Sequence, residues 1–176
     1  MTLPTATNVH HVGVTVPDLD EAVGFFVDCI GAEELYRKGP FGGNETVERR
    51  LDVHPDATAE LAMLRCGPTT NLELFEWDAP GQDEEAPRLS DVGATHIAVQ
   101  VGDVDEATRS VEERDDATVL DEPQTNEEGP TEGLRYVFFR TSWGMYVELV
   151  EVPDEMPYAD DADDRLYGPA PSWSHR

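Results

Sequence analysis

Hydrophobic and polar positions alternate along residues 8–16, NVHHVGVTV, with β-branched residues at every second place, which predicts a first strand. The period then changes. Residues 19–30, LDEAVGFFVDCI, place Leu19, Val23, Phe26, Val27 and Ile30 on one helical stripe. Asp18 stands at the N-cap position and Gly31 suits the left-handed C-cap. AEELYRK (32–38) reads as a second strand, and residues 39–58 as a break with a short charged helix or ordered loop. AELAMLRCG (59–67) and NLELFEW (71–77) complete a set of four strands. After a polar stretch the plan recurs: strand 94–101, helix 103–115 with Val104, Ala107 and Val111 on one stripe, strand 117–120, loop 121–133, and strands 134–141 and 144–152.

The recurrence is also visible letter by letter. Residues 11–22, HVGVTVPDLDEA, and 96–107, HIAVQVGDVDEA, share seven of twelve positions. A second anchor, ELFE at 73–76 and ELVE at 148–151, closes the last strand of each half. The chain therefore carries an internal duplication. The first anchors are 85 residues apart and the second 75, a difference expected to arise in the linker. The organisation is a first module at 8–78, a linker at 79–92, a second module at 93–152 and an acidic tail at 153–176. Tyr158, Tyr167 and Trp173 are spaced through that tail, where they would cover a cavity or clasp a partner subunit if they are ordered.

Parity assigns side chains to faces. Val12, Val14 and Val16 should pack on the first helix, leaving His11, Gly13 and Thr15 on the opposite face. In the fifth strand Ile97, Val99 and Val101 pack, and His96, Ala98 and Gln100 face away. Leu72 and Leu74 pack, leaving Asn71, Glu73, Phe75 and Trp77 on the other face; Val147 and Leu149 pack, leaving Tyr146, Glu148 and Val150. If the modules bring these faces together, two histidines and two glutamates converge. Gly13 and Ala98 leave room beside them. Such a donor set suits one divalent ion (Zn, Ni, Co, Mn or Fe) that would bind a substrate oxyanion as a Lewis acid. Glu148 or Glu73 could then move a proton. The expected substrate cavity is Gly13, Thr15, Asn71, Phe75, Ala98, Gln100 and Tyr146. His10 shares the parity of Val12 and should point to the helix side or lie in the frayed strand start. His54, before Pro55, should be exposed, and His175 lies in the tail.

Composition narrows the partners. With 38 Asp and Glu against 12 Lys and Arg, the formal charge of −26 repels nucleic acid and anionic lipid. It fits an acidic surface adapted to a salt-rich cytoplasm better than disorder, given the periodic apolar segments. No apolar run reaches membrane-spanning length and the N-terminus carries no secretory pattern, so a cytoplasmic location is expected. Cys29 and Cys66 lack CxxC spacing and read as reduced, buried thiols. GPFGGNE is glycine-rich but lacks the Lys-Ser/Thr of a phosphate loop, so it reads as a flexible lid or turn.

HHVGVTVPDLDEAVGFF and THIAVQVGDVDEA, together with the two glutamate anchors, resemble the vicinal oxygen chelate superfamily over residues 8–151. That superfamily includes glyoxalase I, methylmalonyl-CoA epimerase, extradiol dioxygenases, fosfomycin-resistance enzymes and bleomycin-binding proteins. The resemblance implies an α+β fold of two tandem βαβββ modules, forming a curled mixed sheet around a metal-centred cavity. It carries the ligand roles onto His11, Glu73, His96 and Glu148, the set that glyoxalase I enzymes use. Methylmalonyl-CoA epimerases usually have Gln where this chain has Glu73, and bleomycin-binding members generally lack the ligands. The complete set implies a metal-dependent lyase or isomerase that abstracts a proton next to a carbonyl and stabilises an enediolate. The alternatives are an extradiol-type ring-cleaving dioxygenase, with Tyr146 near a catechol, and a non-catalytic small-molecule-binding protein, with Phe75, Trp77 and Tyr146 lining the cavity and Phe139 either joining them or, as its preferred reading, lying in the core. Partners are a small-molecule substrate, and neither nucleic acid nor membrane. A homodimer is compatible with a chain holding both modules but not required by it.

Overall fold

The computed structural model describes residues 4–162 and Leu166. The chain divides into two compact units, the first ending at Glu84 and the second beginning at Glu85. Each unit carries one mixed sheet with helix on one face, so the class is α+β.

In the first unit the elements run β1 (Val12–Val16), α1 (Leu19–Phe25), β2 (Glu33–Gly42), α2 (Glu45–Leu51), β3 (Thr58–Cys66) and β4 (Thr70–Asp78). The strand order is β1-β4-β3-β2, with β1 and β4 parallel and the other pairs antiparallel. In the second unit they run β5 (His96–Gln100), α3 (Val104–Glu112), β6 (Ala117–Val119), β7 (Gln124–Thr125), β8 (Arg135–Thr141) and β9 (Tyr146–Glu151), with order β5-β9-β8-β6 and β7 beside β8. Again the first and last strands are parallel. The α+β class and the doubled βαβββ plan hold, with the strands in two separate sheets of four and five.

The repeated phrase builds the same corner twice. Asp18 is extended and its Oδ1 accepts from Glu21 N at 2.8 Å; Asp103 does the same for Glu106 N at 2.8 Å. Each cap satisfies an amide that the helix itself cannot. The glutamate that ends each ELxE anchor completes the corner. Glu76 Oε2 accepts from Leu19 N at 2.7 Å, and Glu151 Oε2 accepts from Val104 N at 2.9 Å. These carboxylates sit at helix N-termini, where the peptide dipoles favour negative charge. The second aspartate of D-x-D-E-A holds an arginine from a neighbouring strand. Asp20 pairs with Arg37 of β2, and Asp105 takes both Nη1 and Nη2 of Arg135 of β8 at 2.9 Å.

The cores lie between helix and sheet. Leu19, Ala22, Val23, Phe25 and Phe26 pack against Leu64, Leu72 and Leu74, all buried. Val104, Thr108 and Val111 meet Val137, Phe139, Val147 and Leu149. Burying each large apolar side chain contributes roughly 1.5–3 kcal/mol.

Several expectations change. Val27 is exposed because the helix widens into a single π-turn over Phe26–Ile30, which rotates the residues after Phe26 off the α-helical stripe. Phe25 takes the core position instead, with its ring edge-on to Phe26 at 5.5 Å. Gly31 closes the turn in the left-handed region, as expected. Val12 is exposed and Val14 half-buried, because α1 packs over β3 and β4 while β1 is an edge strand; only Val16 is buried. The glycine-rich stretch from residue 39 is neither break nor lid. Gly39–Gly42 belongs to β2, with Phe41 opposite Ala59 and Gly42 opposite Thr58 after a register shift. At Gly42, with φ 117°, a Cβ would stand 2.3 Å from the Ala57 carbonyl oxygen. The ten extra residues of the first module between histidine and glutamate arise mostly here, in the long β2 and in α2, not in the linker. The start of the tail folds onto the second unit: Met156 is buried and Tyr158 N donates to Pro130 O at 3.0 Å, ahead of a short α4 (Tyr158–Asp161). Tyr167, Trp173 and His175 lie outside the described residues.

Candidate active site

The non-helix face of the first sheet carries the first candidate pair. In the parallel register Gly13 stands opposite Glu73, so Glu73 and the residues of His11 parity share one face. His11 Nε2 lies 3.1 Å from Glu73 Oε2. The imidazole is about one-third exposed and the carboxylate is half-buried, its side chain 18% exposed. The glycine opposite Glu73 leaves no side chain between them.

The second sheet repeats the arrangement. Ala98 stands opposite Glu148, again two residues after the histidine. His96 Nε2 lies 3.2 Å from Glu148 Oε2, with the carboxylate side chain 16% exposed. Within neither unit, among the described residues, do three His, Cys, Asp or Glu side chains gather at one point. Each unit thus presents one nitrogen donor and one oxygen donor.

The surroundings of the pairs differ. Beside Glu73, Phe75 stacks on Trp77 at 5.7 Å and 19°, and Phe41 of β2 meets Trp77 edge-on at 6.1 Å. Lys38 Nζ stands 5.5 Å from the centre of the Phe41 ring. Asn71, expected as a cavity residue, uses its Nδ2 to donate to His10 O at 2.9 Å and so ties the segment before β1 to β4. Gly13 and Thr15 are exposed on β1. In the second unit His96 meets the edge of Phe138 at 5.3 Å, and Phe138 meets Tyr136 at 6.1 Å. Tyr146 lies under the guanidinium of Arg140, with Cζ 5.0 Å from the ring centre. Ala98 and Gln100 are exposed on β5. Phe139, a candidate lining residue, is fully buried on the helix side. Phe138 takes the place beside the histidine, because it is the residue opposite Glu148 in the β8–β9 register. Sequence parity alone did not reveal Phe138 or Arg140, since choosing between neighbours on β8 needs that register.

His10 does not point into the helix side. It precedes β1 and is exposed, with its ring edge-on to His11 at 5.1 Å and 85°. Its Nδ1 lies 2.8 Å from Nδ1 of His11. His54 is exposed and accepts from Asp56 N at 3.1 Å, within its own loop.

Imidazole nitrogen aimed at carboxylate oxygen on an accessible face is donor chemistry that fits a borderline divalent ion. Thiol chemistry has less support here: burial pushes the Cys66 thiol up to about 11, far from the range of a nucleophilic thiolate. No helix among the described residues is long and apolar enough to cross a membrane.

Comparison with known proteins supplies the family. The model of the Glyoxalase/Bleomycin resistance protein/Dioxygenase superfamily matches residues 8–149. A 2-epi-5-epi-valiolone epimerase from Actinomyces sp is 47% identical over 175 residues, covering 99% of this chain and 96% of that protein. Among solved structures, a glyoxalase family protein from Bacillus cereus aligns with a TM-score of 0.66 at 20% identity, over 86% of this chain and 99% of the other. The trypanothione-dependent glyoxalase I of Leishmania major aligns with a TM-score of 0.54 at 23% identity, over 83% of this chain and 87% of the other. The two structures share the fold; the epimerase, alike over nearly its whole length, supports an isomerase-type enzyme. The chain belongs to the Glyoxalase/Bleomycin resistance protein/Dioxygenase superfamily.

Proposed function

We propose that this protein is a divalent-metal-dependent epimerase that inverts a stereocentre beside the carbonyl of 2-epi-5-epi-valiolone or a closely similar ketone. The observation that carries the reading is the near full-length likeness to an epimerase of that substrate. The matched His–Glu pairs support it: each unit offers one nitrogen donor and one carboxylate suited to metal ligation or proton transfer.

His11, Glu73, His96 and Glu148 would hold the ion. When bound, it supplies Lewis acidity at the substrate's carbonyl oxygen. A carbon-bound hydrogen next to a ketone is a weak acid, so its removal needs a base within hydrogen-bond reach. Glu148 or Glu73 takes that proton, and its return to the opposite face of the carbon inverts the centre. Atoms and electrons balance without an oxidant, a thiol cofactor or a second substrate. Within each unit two aromatic residues share the glutamate's face, Phe75 and Trp77 with Glu73 and Phe138 and Tyr146 with Glu148, and would limit access of water to the carboxylate that moves the proton.

The test is to incubate the metal-loaded enzyme with 2-epi-5-epi-valiolone in heavy water and follow the product by NMR. Inversion with deuterium at the inverted carbon is expected. Absence of inversion with each of Zn²⁺, Ni²⁺, Co²⁺, Mn²⁺ and Fe²⁺ would overturn the substrate assignment. Inversion without any solvent deuterium in substrate or product would point to another route than proton exchange with a solvent-accessible carboxylate.

A further inference from the structure

The two histidines of the HH pair in the first strand's approach are joined ring to ring. His10 Nδ1 and His11 Nδ1 are 2.8 Å apart, with the rings nearly perpendicular. A contact of that length between two imidazole nitrogens is a hydrogen bond, so one nitrogen donates and the other accepts. The other nitrogen of His11, Nε2, faces Glu73 at 3.1 Å. Both ring nitrogens of His11 are therefore partnered. His10 is itself held, since its carbonyl oxygen accepts from Asn71 Nδ2 at 2.9 Å, and Asn71 lies two residues before Glu73 on the same strand.

This geometry has a chemical consequence for ligation. A histidine that ligates through Nε2 must carry its proton on Nδ1. That proton then needs an acceptor, and the acceptor at 2.8 Å is His10 Nδ1, with the His10 proton on its own Nε2. In the second unit the residue before His96 is Thr95 in place of a second histidine, and His96 is braced by the edge of Phe138.

We infer that His10 is a positioning residue for His11: by accepting from its Nδ1–H it fixes the ring and the tautomer that leaves Nε2 free for a metal ion. The inference rests on the reading of His11 as a metal ligand. It makes the two half-sites unequal, with one histidine held by a hydrogen bond and the other by an aromatic edge. His10 touches neither substrate nor metal in this account.

Titration of the metal-free full-length chain with Co²⁺, followed by visible absorption, separates the possibilities. His10→Ala is expected to weaken Co²⁺ binding by about 10- to 100-fold, the range typical of losing an outer-shell partner of a metal-bound histidine. His10→Asn is expected to return close to wild-type affinity, because its Oδ1 can occupy the acceptor position of the lost Nδ1. His11→Ala should abolish the spectrum. Circular dichroism of each variant establishes that it is folded. Wild-type affinity in His10→Ala overturns the inference while leaving the metal site intact. Equal weakening in His10→Ala and His10→Asn also overturns it, since ring packing would then account for the effect. A wild-type chain that gives no Co²⁺ spectrum removes the metal reading itself, and the inference with it.

Discussion

The two halves of this chain share a scaffold and differ in what surrounds the chemistry. In both, a first aspartate caps the helix, a second holds an arginine, and a glutamate from the last strand clasps the first helical amide. In both, a histidine at the start of the first strand faces a glutamate on the last, at 3.1 and 3.2 Å. The differences lie around those pairs. His11 is tied to His10 and has a stacked Phe75–Trp77 shelf nearby, whereas His96 rests on Phe138 with Arg140 over Tyr146 close by. Duplication preserved what builds the corner and what donates electron pairs. The lining residues, free of both duties, diverged.

The largest effects are expected at the glutamates. Glu148→Gln and Glu73→Gln keep the shape of the site but remove a base. Whichever carboxylate takes the proton should lose about 10²- to 10⁴-fold in kcat when neutralised. The other should show its loss mainly in metal affinity. Steady-state kinetics at saturating metal, set beside metal titrations, distinguish the two. Equal and small losses in both would mean that neither carboxylate is the base.

The helix clasps come next. Glu151 Oε2 bonds Val104 N and also stands 3.4 Å from Arg135, whereas Glu76 is bonded to Leu19 N. Glu151→Gln should therefore cost more stability than Glu76→Gln. Values of about 2 and 1 kcal/mol are expected in urea unfolding, since both sites are partly exposed. The reverse order would show that Arg135 adds nothing. Smaller still is the cap pair: Asp18→Ala and Asp103→Ala should each cost about 1 kcal/mol, equal because their geometries match. A clear inequality would locate a difference in helix stability that the caps do not explain.

The smallest effect is a pH dependence in the second unit. The bidentate hydrogen bonds from Arg135 hold the Asp105 carboxyl below its ordinary range. A carboxylate lowered in the folded state contributes stability that is fully present above its unfolded value, near 3.9, and that fades as pH falls through the lower folded value. Asp105→Asn should flatten that acid-side slope by removing the small contribution present near neutrality, so that the stabilities of the two proteins converge at low pH. Thermal melts between roughly pH 2 and 6 would show it; an unaltered slope would contradict the assignment.

Much of this was legible in the sequence because strand alternation has a period of two. Parity alone puts His11 with Gly13 and Glu73 with Phe75, and the doubled phrase flags both histidines. What stayed hidden depended on order and register. The sequence does not state that the last strand lies parallel beside the first, so the clasps by Glu76 and Glu151 were unreadable, as was the edge position that leaves Val12 exposed. The π-turn that turns Val27 outward breaks the spacing on which the helical stripe relied. Of the two places expected for His10 it takes the second, exposed in the approach to β1, which begins at Val12.

The proposed role of His11, Glu73, His96 and Glu148 is to hold a divalent ion. Metal content per chain, measured by mass spectrometry on the wild type, His11→Ala and His96→Ala after reconstitution and desalting, tests it directly. One divalent ion per chain is expected in the wild type, with loss of that ion in either variant. Two ions per chain, or content unchanged when one of the histidines is removed, would contradict it.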